Sequence, residues 1–177
     1  ADDLIGTISY KLDHCPEELD APEDLLTLIV TGDKDLLQLV DENTHVWLPK
    51  RGRKPDTEYD SATVKQEMGV RPNQIVDLKA LMGDSSDNIP GIKGVGPKTA
   101  VSLLNKFESL KDIYHQVESL DSGEEGELIK GSLLKKLRQE KDKALLSQSL
   151  AKIDCDAPLE IDLDHCRVVS YDKTAAV

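Results

Sequence analysis

The 177-residue sequence is poor in aromatic residues and cysteines, and it has no excess of basic side chains. One Trp, one Phe and three Cys occur along its length. Cys15, Cys155 and Cys166 are odd in number and lack metal-ligand spacing, which argues against a disulfide framework or a zinc site and favours free thiols in a reducing compartment. The shortage of aromatic side chains argues against a surface that stacks on single-stranded bases.

Long apolar runs are absent as well. No stretch approaches the ~20 residues that a membrane-spanning helix needs, and nothing resembles a signal peptide. We therefore expect a cytoplasmic protein without a membrane partner. A chain of this length can form one core, or one lobe with an appendage.

Acidic residues outnumber basic ones by 34 to 22, and the net charge of −12 argues against a nucleic-acid partner. Local clusters of basic residues weaken this argument, because a local positive surface is enough to bind a phosphate backbone. The clusters are Lys50, Arg51, Arg53 and Lys54; Lys93 and Lys98; and Lys135, Lys136 and Arg138. The first of them is explained equally well as a solvated turn.

A glycine-rich hairpin at Gly91–Thr99 is the most informative motif. Its glycines allow positive φ and close backbone approach, and Pro97 suits the first position of a helix that we expect to run to about Phe107. The buried face of this helix is predicted to consist of Ala100, Val101, Leu104 and Phe107. Unpaired N–H groups of Gly94, Val95 and Gly96 would form an anion site at the helix start, with Lys93 and Lys98 nearby. A plain turn between two packed helices explains the glycines equally well.

Two carboxylates stand just before the hairpin. Asp84 and Asp87 are three residues apart and would share one face of a helical turn. Taken alone, this pair is better explained as a helix-capping device than as a metal site.

Further acidic pairs occur at two other places. Leu25–Thr31 is a short, apolar, β-branched run that predicts a parallel strand buried on both faces, and Asp33 and Asp35 follow it, where open α/β sheets bind ligands. Asp2 and Asp3 fall in the first turn of a predicted helix, where acids are favourable in any case. Helix caps explain each pair in isolation, although two acids after one strand slightly favour function.

Three such pairs together are harder to explain as caps. If they converge, each pair of like charges 4 Å apart costs roughly 4 kcal/mol at an effective dielectric constant near 20. Such a cluster needs cations, and oxygen ligands without nearby His or Cys favour Mg²⁺ or Mn²⁺ over zinc.

The motifs taken together resemble the 5′ nucleases, namely the 5′→3′ exonuclease domain of bacterial DNA polymerase I and its flap endonuclease relatives. The resemblance covers nearly the whole chain. The matching segments are Ala1–Asp3, Thr31–Leu36, Asp77–Gly91, Gly94–Ala100, Ala144–Ser147 and Asp156–Asp162.

This resemblance implies a fold, a reaction and a set of site residues. The fold would be α/β: the later part of a parallel-sheet, PIN-like layer over 1–82, then a helical region over 83–177, with a DNA-binding helix–three-turn–helix at about 75–107. Two Mg²⁺ or Mn²⁺ ions would hydrolyse phosphodiester bonds, with K⁺ at the hairpin. The partner would be double-stranded DNA with a 5′ flap or nick, bound by a monomer at the bacterial nucleoid, in replication and repair. The metal-binding, catalytic residues would be Asp2, Asp3, Asp33, Asp35, Asp84 and Asp87, and the DNA-binding residues Gly91, Lys93, Gly94, Val95, Gly96, Lys98 and Thr99.

The sequence also departs from the family pattern. The family motif reads Glu-Ala-Asp-Asp, whereas this sequence begins at Ala1, and the family's first strand with its Asp and the basic arch lie further upstream. We therefore expect a piece of a longer protein that does not cleave a 5′-flap DNA by itself. A DNA-binding module without cleavage activity stays open as an alternative.

Local patterns predict the remaining elements. They are helix 2–12, strand 25–31, helix 34–41, strand 45–49, helices 61–69 and 73–82, and helical structure from 83 onward. An acidic loop is expected at 121–126. Leu133, Leu134, Leu137, Ala144 and Leu145 mark one further helix.

Overall fold

A computed structural model describes residues 1–22, 25–49, 56–120 and 126–167. The basic cluster at 50–54 and all but the last residue of the acidic loop at 121–126 lie outside these ranges. The same holds for the final segment 168–177.

Three strands form the sheet of the described part: β1 (Thr27–Val30), β2 (Thr44–Leu48) and β3 (Thr57–Tyr59). β1 runs parallel to β2 with Ile29 opposite Val46, and β2 runs antiparallel to β3. β3 was not predicted, because its three residues are too short for a recognisable alternation.

β1 is buried on one face only, so the prediction of burial on both faces is wrong within the described part. Ile29 is 7% exposed, whereas Leu28 and Val30 are 45% and 66% exposed. Successive side chains of a strand point to opposite faces, and no described element covers the face that carries Leu28 and Val30.

Seven α-helices and three short 3-10 helices are the other regular elements of the described chain. The α-helices are α1 (Asp2–His14), α2 (Ser61–Met68), α3 (Ile75–Met82), α4 (Pro97–Phe107), α5 (Leu110–Ser119), α6 (Gly131–Gln139) and α7 (Lys141–Ala151). The 3-10 helices are Pro16–Leu19, Lys34–Leu39 and Pro72–Gln74. No helix of the described part is long and apolar enough to cross a membrane.

Several predicted elements match this order closely and others do not. α4 has the predicted bounds, and its fully buried residues include Leu103 as well as the predicted Ala100 and Leu104. The helix predicted at 34–41 is a 3-10 helix. The single helix predicted beyond Leu133 is interrupted at Glu140, and the described residues after Lys152 are not helical.

α3 is the centre of the helical part and positions the site described below. It packs against α4, α5 and α7. Its buried Asp77 accepts hydrogen bonds from the Leu110 N–H (2.8 Å) and from Gln148 Nε2 (2.6 Å), which ties α3 to α5 and α7. One hydrophobic core extends from Ile29 and Val46 in the sheet to Leu137 in α6.

Candidate metal centre and nucleic-acid interface

The loop after α3 is closed by its own backbone. Asp84 and Ile89 exchange two hydrogen bonds, from Asp84 N to Ile89 O (2.9 Å) and from Ile89 N to Asp84 O (2.8 Å). Gly83 and Gly91 lie at positive φ, and their backbones touch so closely that a Cβ on either one would overlap the chain nearby. No helix begins at Asp84 or Asp87, so the helix-capping explanation of this pair is wrong.

This loop brings its two carboxylates to a third one from the sheet. Asp35 stands in the 3-10 helix that follows β1, and its carboxylate meets those of Asp84 and Asp87. One oxygen from each of the three lies within 4.8 Å of the other two. Hence the carboxyl end of β1 and the loop after α3 form one acidic site, which is the only such group of His, Cys, Asp or Glu in the described part of the chain.

A lysine that the sequence reasoning missed stands among these carboxylates. The Lys79 ammonium contacts Asp35, lies 2.8 Å from Asp84 Oδ2 and lies 3.4 Å from Asp87 Oδ2. The Lys79 side chain is only 9% exposed. A signal was present in the sequence, because Lys79 interrupts the otherwise apolar run Leu78–Met82 on a helix that is mostly buried.

Charge and burial shift the ionisation of this group. The hydrogen bond from Lys79, with help from Ser86, lowers the pKa of Asp84 to about 2. Burial alone would lower the pKa of Lys79, but hydrogen bonds to Asp35 and Asp84 outweigh it and raise that pKa. Burial raises the pKa of Asp35, and Lys79 opposes this shift without reversing it.

The donor set suits a hard divalent cation. Three carboxylates and one ammonium sum to a formal charge of −2, so the site lacks positive charge even with Lys79 in place. Carboxylate oxygens without His or Cys are the ligands that Mg²⁺ and Mn²⁺ prefer.

The other predicted carboxylates do not join the group. Asp33 is exposed, and its Oδ1 caps the 3-10 helix by accepting a hydrogen bond from Asp35 N (2.9 Å). Asp2 and Asp3 are exposed in the first turn of α1, where Asp3 Oδ1 accepts a hydrogen bond from Asp154 N (3.0 Å). Their roles as metal ligands stay predictions.

Two hairpin residues predicted to contact DNA, Gly91 and Val95, are buried, and their role in DNA binding stays a prediction. Gly91 is buried, and its N–H donates to Ser147 Oγ on α7 (3.0 Å). Val95 is 3% exposed, and its N–H donates to Ile92 O (3.0 Å) as the closing bond of a tight turn. The prediction of an unpaired Val95 N–H is therefore wrong, because the turn uses that donor itself.

The remaining hairpin residues are accessible. Lys93, Gly94 and Lys98 are exposed, and Gly96 and Thr99 are half-buried. The N–H groups of Gly94 and Gly96 have no acceptor among the described residues. A Cβ placed on Gly96 would have nothing within 4 Å, so the backbone there is open to an approaching group.

α6 brings a further lysine to this hairpin. A Cβ on Gly94 would lie 2.5 Å from Lys136 Nζ, so the ammonium of Lys136 sits directly against the exposed glycine. Glu140, between α6 and α7, accepts hydrogen bonds from Lys93 N (2.9 Å) and Lys143 Nζ (3.1 Å). The structure thus joins two basic clusters that were separate in the sequence.

Arg138, from the same cluster as Lys136, points elsewhere. Its Nη2 donates to the carbonyl oxygens of Val117 (3.3 Å) and Leu120 (2.5 Å) at the end of α5. Arg138 therefore stabilises the packing of α6 on α5, and its guanidinium is occupied within the protein.

Comparison with known proteins identifies the family. A family model described as the N-terminal resolvase-like domain of 5′-3′ exonuclease matches residues 1–69, and one described as the 5′-3′ exonuclease C-terminal SAM fold matches residues 70–174. The chain belongs to the 5′-3′ exonuclease family, as its motifs had indicated.

Curated relatives are longer than this chain. DNA polymerase I of Lactococcus lactis subsp. cremoris is 46% identical over 164 residues, which are 93% of this chain and 17% of that protein. The 5′-3′ exonuclease of Buchnera aphidicola subsp. Acyrthosiphon pisum is 37% identical over 171 residues, which are 97% of this chain and 55% of that protein.

Solved structures confirm the α/β fold. The T5 5′-exonuclease with bound zinc aligns with a TM-score of 0.65 and 22% identity, over 86% of this chain and 49% of that one. A complex of the bacteriophage T5 flap endonuclease with DNA and metal ions aligns with a TM-score of 0.64 and 21% identity, over 87% and 49% of the two chains.

Proposed function

We propose that this chain is part of a structure-specific 5′→3′ exonuclease and flap endonuclease that hydrolyses phosphodiester bonds of DNA. One observation carries the proposal: a cation-deficient carboxylate site and an open, basic hairpin are joined by a single short segment, Gly83–Gly96. Such a short segment would keep a cation held by the carboxylates close to a phosphate backbone held by the hairpin. The DNA polymerase I relatives favour a role in replication and repair at the nucleoid.

Within this proposal the three converging carboxylates hold a divalent cation. Asp35, Asp84 and Asp87 would supply oxygen ligands, and Asp2, Asp3 and Asp33 would lie around the metal ions, partly through water. Bound Mg²⁺ or Mn²⁺ would supply a nucleophilic water at neutral pH and stabilise the leaving oxygen. The protein's own contribution is to hold these carboxylates close together against their mutual repulsion.

The hairpin binds the phosphates of the DNA duplex. A phosphate would accept hydrogen bonds from the N–H groups of Gly94 and Gly96. It would also lie at the N-terminus of α4, where the helix dipole favours an anion. Lys93, Lys98 and Lys136 surround these N–H groups with positive charge. No base edge is needed, so recognition follows DNA shape, such as a 5′ flap or nick, and not its sequence. The family resemblance adds K⁺ at the hairpin carbonyls and a monomeric state.

The test is cleavage of an end-labelled 5′-flap DNA by a protein that carries this chain together with the upstream segments of the family pattern. We expect cleavage that requires Mg²⁺ or Mn²⁺ and that Asp87→Asn abolishes. Duplex binding without cleavage under all metal conditions would reject the proposal in favour of a DNA-binding module.

A further inference from the structure

Lys79 differs from the other described lysines that form ion pairs. Lys106, Lys141 and Lys143 each contact one carboxylate and are 51%, 42% and 44% exposed. Lys79 contacts three carboxylates from two distant parts of the chain and is 9% exposed. Surface ion pairs contribute little, but this buried ammonium holds together carboxylates that would otherwise repel each other.

We propose that Lys79 is the resident cation of the metal-free site and that a divalent ion must displace its ammonium in order to bind. This inference rests on the proposed metal-dependent function. Lys79 uses the oxygens of Asp35, Asp84 and Asp87 that a metal ion would need. Mg²⁺ requires its ligands at about 2.0–2.1 Å, a distance that leaves no room for an ammonium between the same oxygens.

Displacement is physically feasible because the lysine side chain is long and flexible. Its ammonium is a compact point charge on a four-carbon stem, which can turn without movement of α3. Asp87 forms the open side of the site, with a side chain that is 49% exposed, and it makes the longest of the three contacts to Lys79 (3.4 Å). The ammonium would therefore leave the site on the side of Asp87.

The exchange has two consequences that a purely structural lysine would not have. Lys79 stabilises the metal-free fold, because it partly neutralises the carboxylates. It also weakens metal binding, because the incoming ion must break three contacts and repels the ammonium. A lysine that merely orients the carboxylates would have the opposite effect on metal affinity, since its removal would disorder the ligands.

The test is Mn²⁺ binding by the 177-residue chain, measured by calorimetry and by the metal-dependent shift in melting temperature. Lys79→Met removes the charge and keeps much of the stem. We expect a lower melting temperature without metal, at least about tenfold tighter Mn²⁺ binding, and a larger melting shift with Mn²⁺ than the wild type shows. Lys79→Arg, which keeps the charge, should bind Mn²⁺ no more tightly than the wild type.

Lys106→Met is the matched control, because Lys106 contacts one exposed carboxylate, Glu127, at 2.9 Å. It should leave Mn²⁺ affinity unchanged. If Lys79→Met is unfolded without metal, folding upon Mn²⁺ addition supports the exchange, and failure to fold with Mn²⁺ contradicts it.

Unchanged or weaker Mn²⁺ binding by Lys79→Met would overturn the inference. This outcome differs from a failure of the proposed function. In that case the wild type itself would show no Mn²⁺ binding that depends on Asp84 and Asp87.

Discussion

The carboxylate site and the hairpin are neighbours in sequence but are built in opposite ways. The carboxylate site consists of side chains: Asp35 comes from the segment after β1, and Asp84, Asp87 and Lys79 come from α3 and its loop. The hairpin presents backbone N–H groups, and its important residues are those that lack a side chain. The first site is electronegative, and the second is lined by lysines.

This contrast indicates which substitutions would affect only metal binding and which would affect only DNA binding. An isosteric change of a carboxylate to an amide removes a metal ligand and leaves the backbone in place. A Cβ added in the hairpin blocks backbone approach and leaves every carboxylate in place.

The largest effect is expected at the carboxylates, in a protein that carries this chain together with the upstream segments of the family pattern. Asp84→Asn, Asp87→Asn and Asp33→Asn should each slow cleavage of a 5′-flap DNA by more than about 100-fold, since even changes behind a metal ligand cost about 10–100-fold. Duplex affinity, measured by anisotropy without divalent metal, should stay close to that of the wild type.

Asp60→Asn is the control for these variants. Asp60 caps α2 by accepting a hydrogen bond from Thr63 N (2.7 Å), and Asn is an equally good cap. Normal cleavage by Asp87→Asn together with a lower melting temperature would show that Asp87 has only a structural role.

Gly91→Ala should lower the stability of the fold without removing a direct contact to DNA. Gly91 has a φ of 58°, and a Cβ there would overlap the backbone of Gly83. The left-handed conformation alone costs about 1–3 kcal/mol, so thermal unfolding of the chain should begin at a clearly lower temperature. If Gly91→Ala melted like the wild type but lost duplex affinity, Gly91 would belong to the interface after all.

Changes at the exposed glycines should weaken duplex binding. Gly94→Val and Gly96→Val each block a backbone donor to a charged phosphate, worth about 1.5–3 kcal/mol, which is roughly tenfold or more in affinity. Lys93→Ala should have a smaller effect, because it removes one screened contact. The melting temperature of Gly96→Val should equal that of the wild type, since the new side chain enters open space. Equal duplex affinities of all three variants would mean that the hairpin is only a structural turn.

The smallest effect is expected at α6. Lys136→Ala removes the ammonium that lies against Gly94 and should flatten the salt dependence of duplex binding by about 0.9 in the slope of log affinity against log salt. Lys135→Ala, the exposed neighbour on the same helix, is the matched control and should leave the slope unchanged. Equal slopes for the two variants would exclude Lys136 from the interface.

Much of the fold followed from local patterns in the sequence. Pro97 and the apolar spacing after it determined the bounds of α4, because proline suits the first helical position. The apolar run before Asp33 predicted β1, but it could not reveal that one face of β1 has no cover among the described residues. Whether a second face of a strand is buried depends on tertiary contacts, and the periodicity of the strand does not reveal these contacts.

The site residues could be predicted where their residue type alone indicates a function. They could not be predicted where their role depends on tertiary packing. Asp35, Asp84 and Asp87 were candidates because paired carboxylates are conspicuous. The burial of Val95 and Gly91 was not predicted, because the hydrogen bonds that occupy their N–H groups depend on a tight turn and on Ser147 of α7. Lys136 was unplaced because α6 is far from the hairpin in sequence but adjacent to it in space.

The most direct test of the account measures Mn²⁺ binding and duplex binding on the same two variants of the 177-residue chain, Asp87→Asn and Gly96→Val. Calorimetry gives the first quantity, and anisotropy with a nicked duplex in metal-free buffer gives the second. We predict that Asp87→Asn loses Mn²⁺ affinity and keeps duplex affinity, whereas Gly96→Val does the reverse. Loss of both affinities in both variants would contradict the claim that the two surfaces are separate.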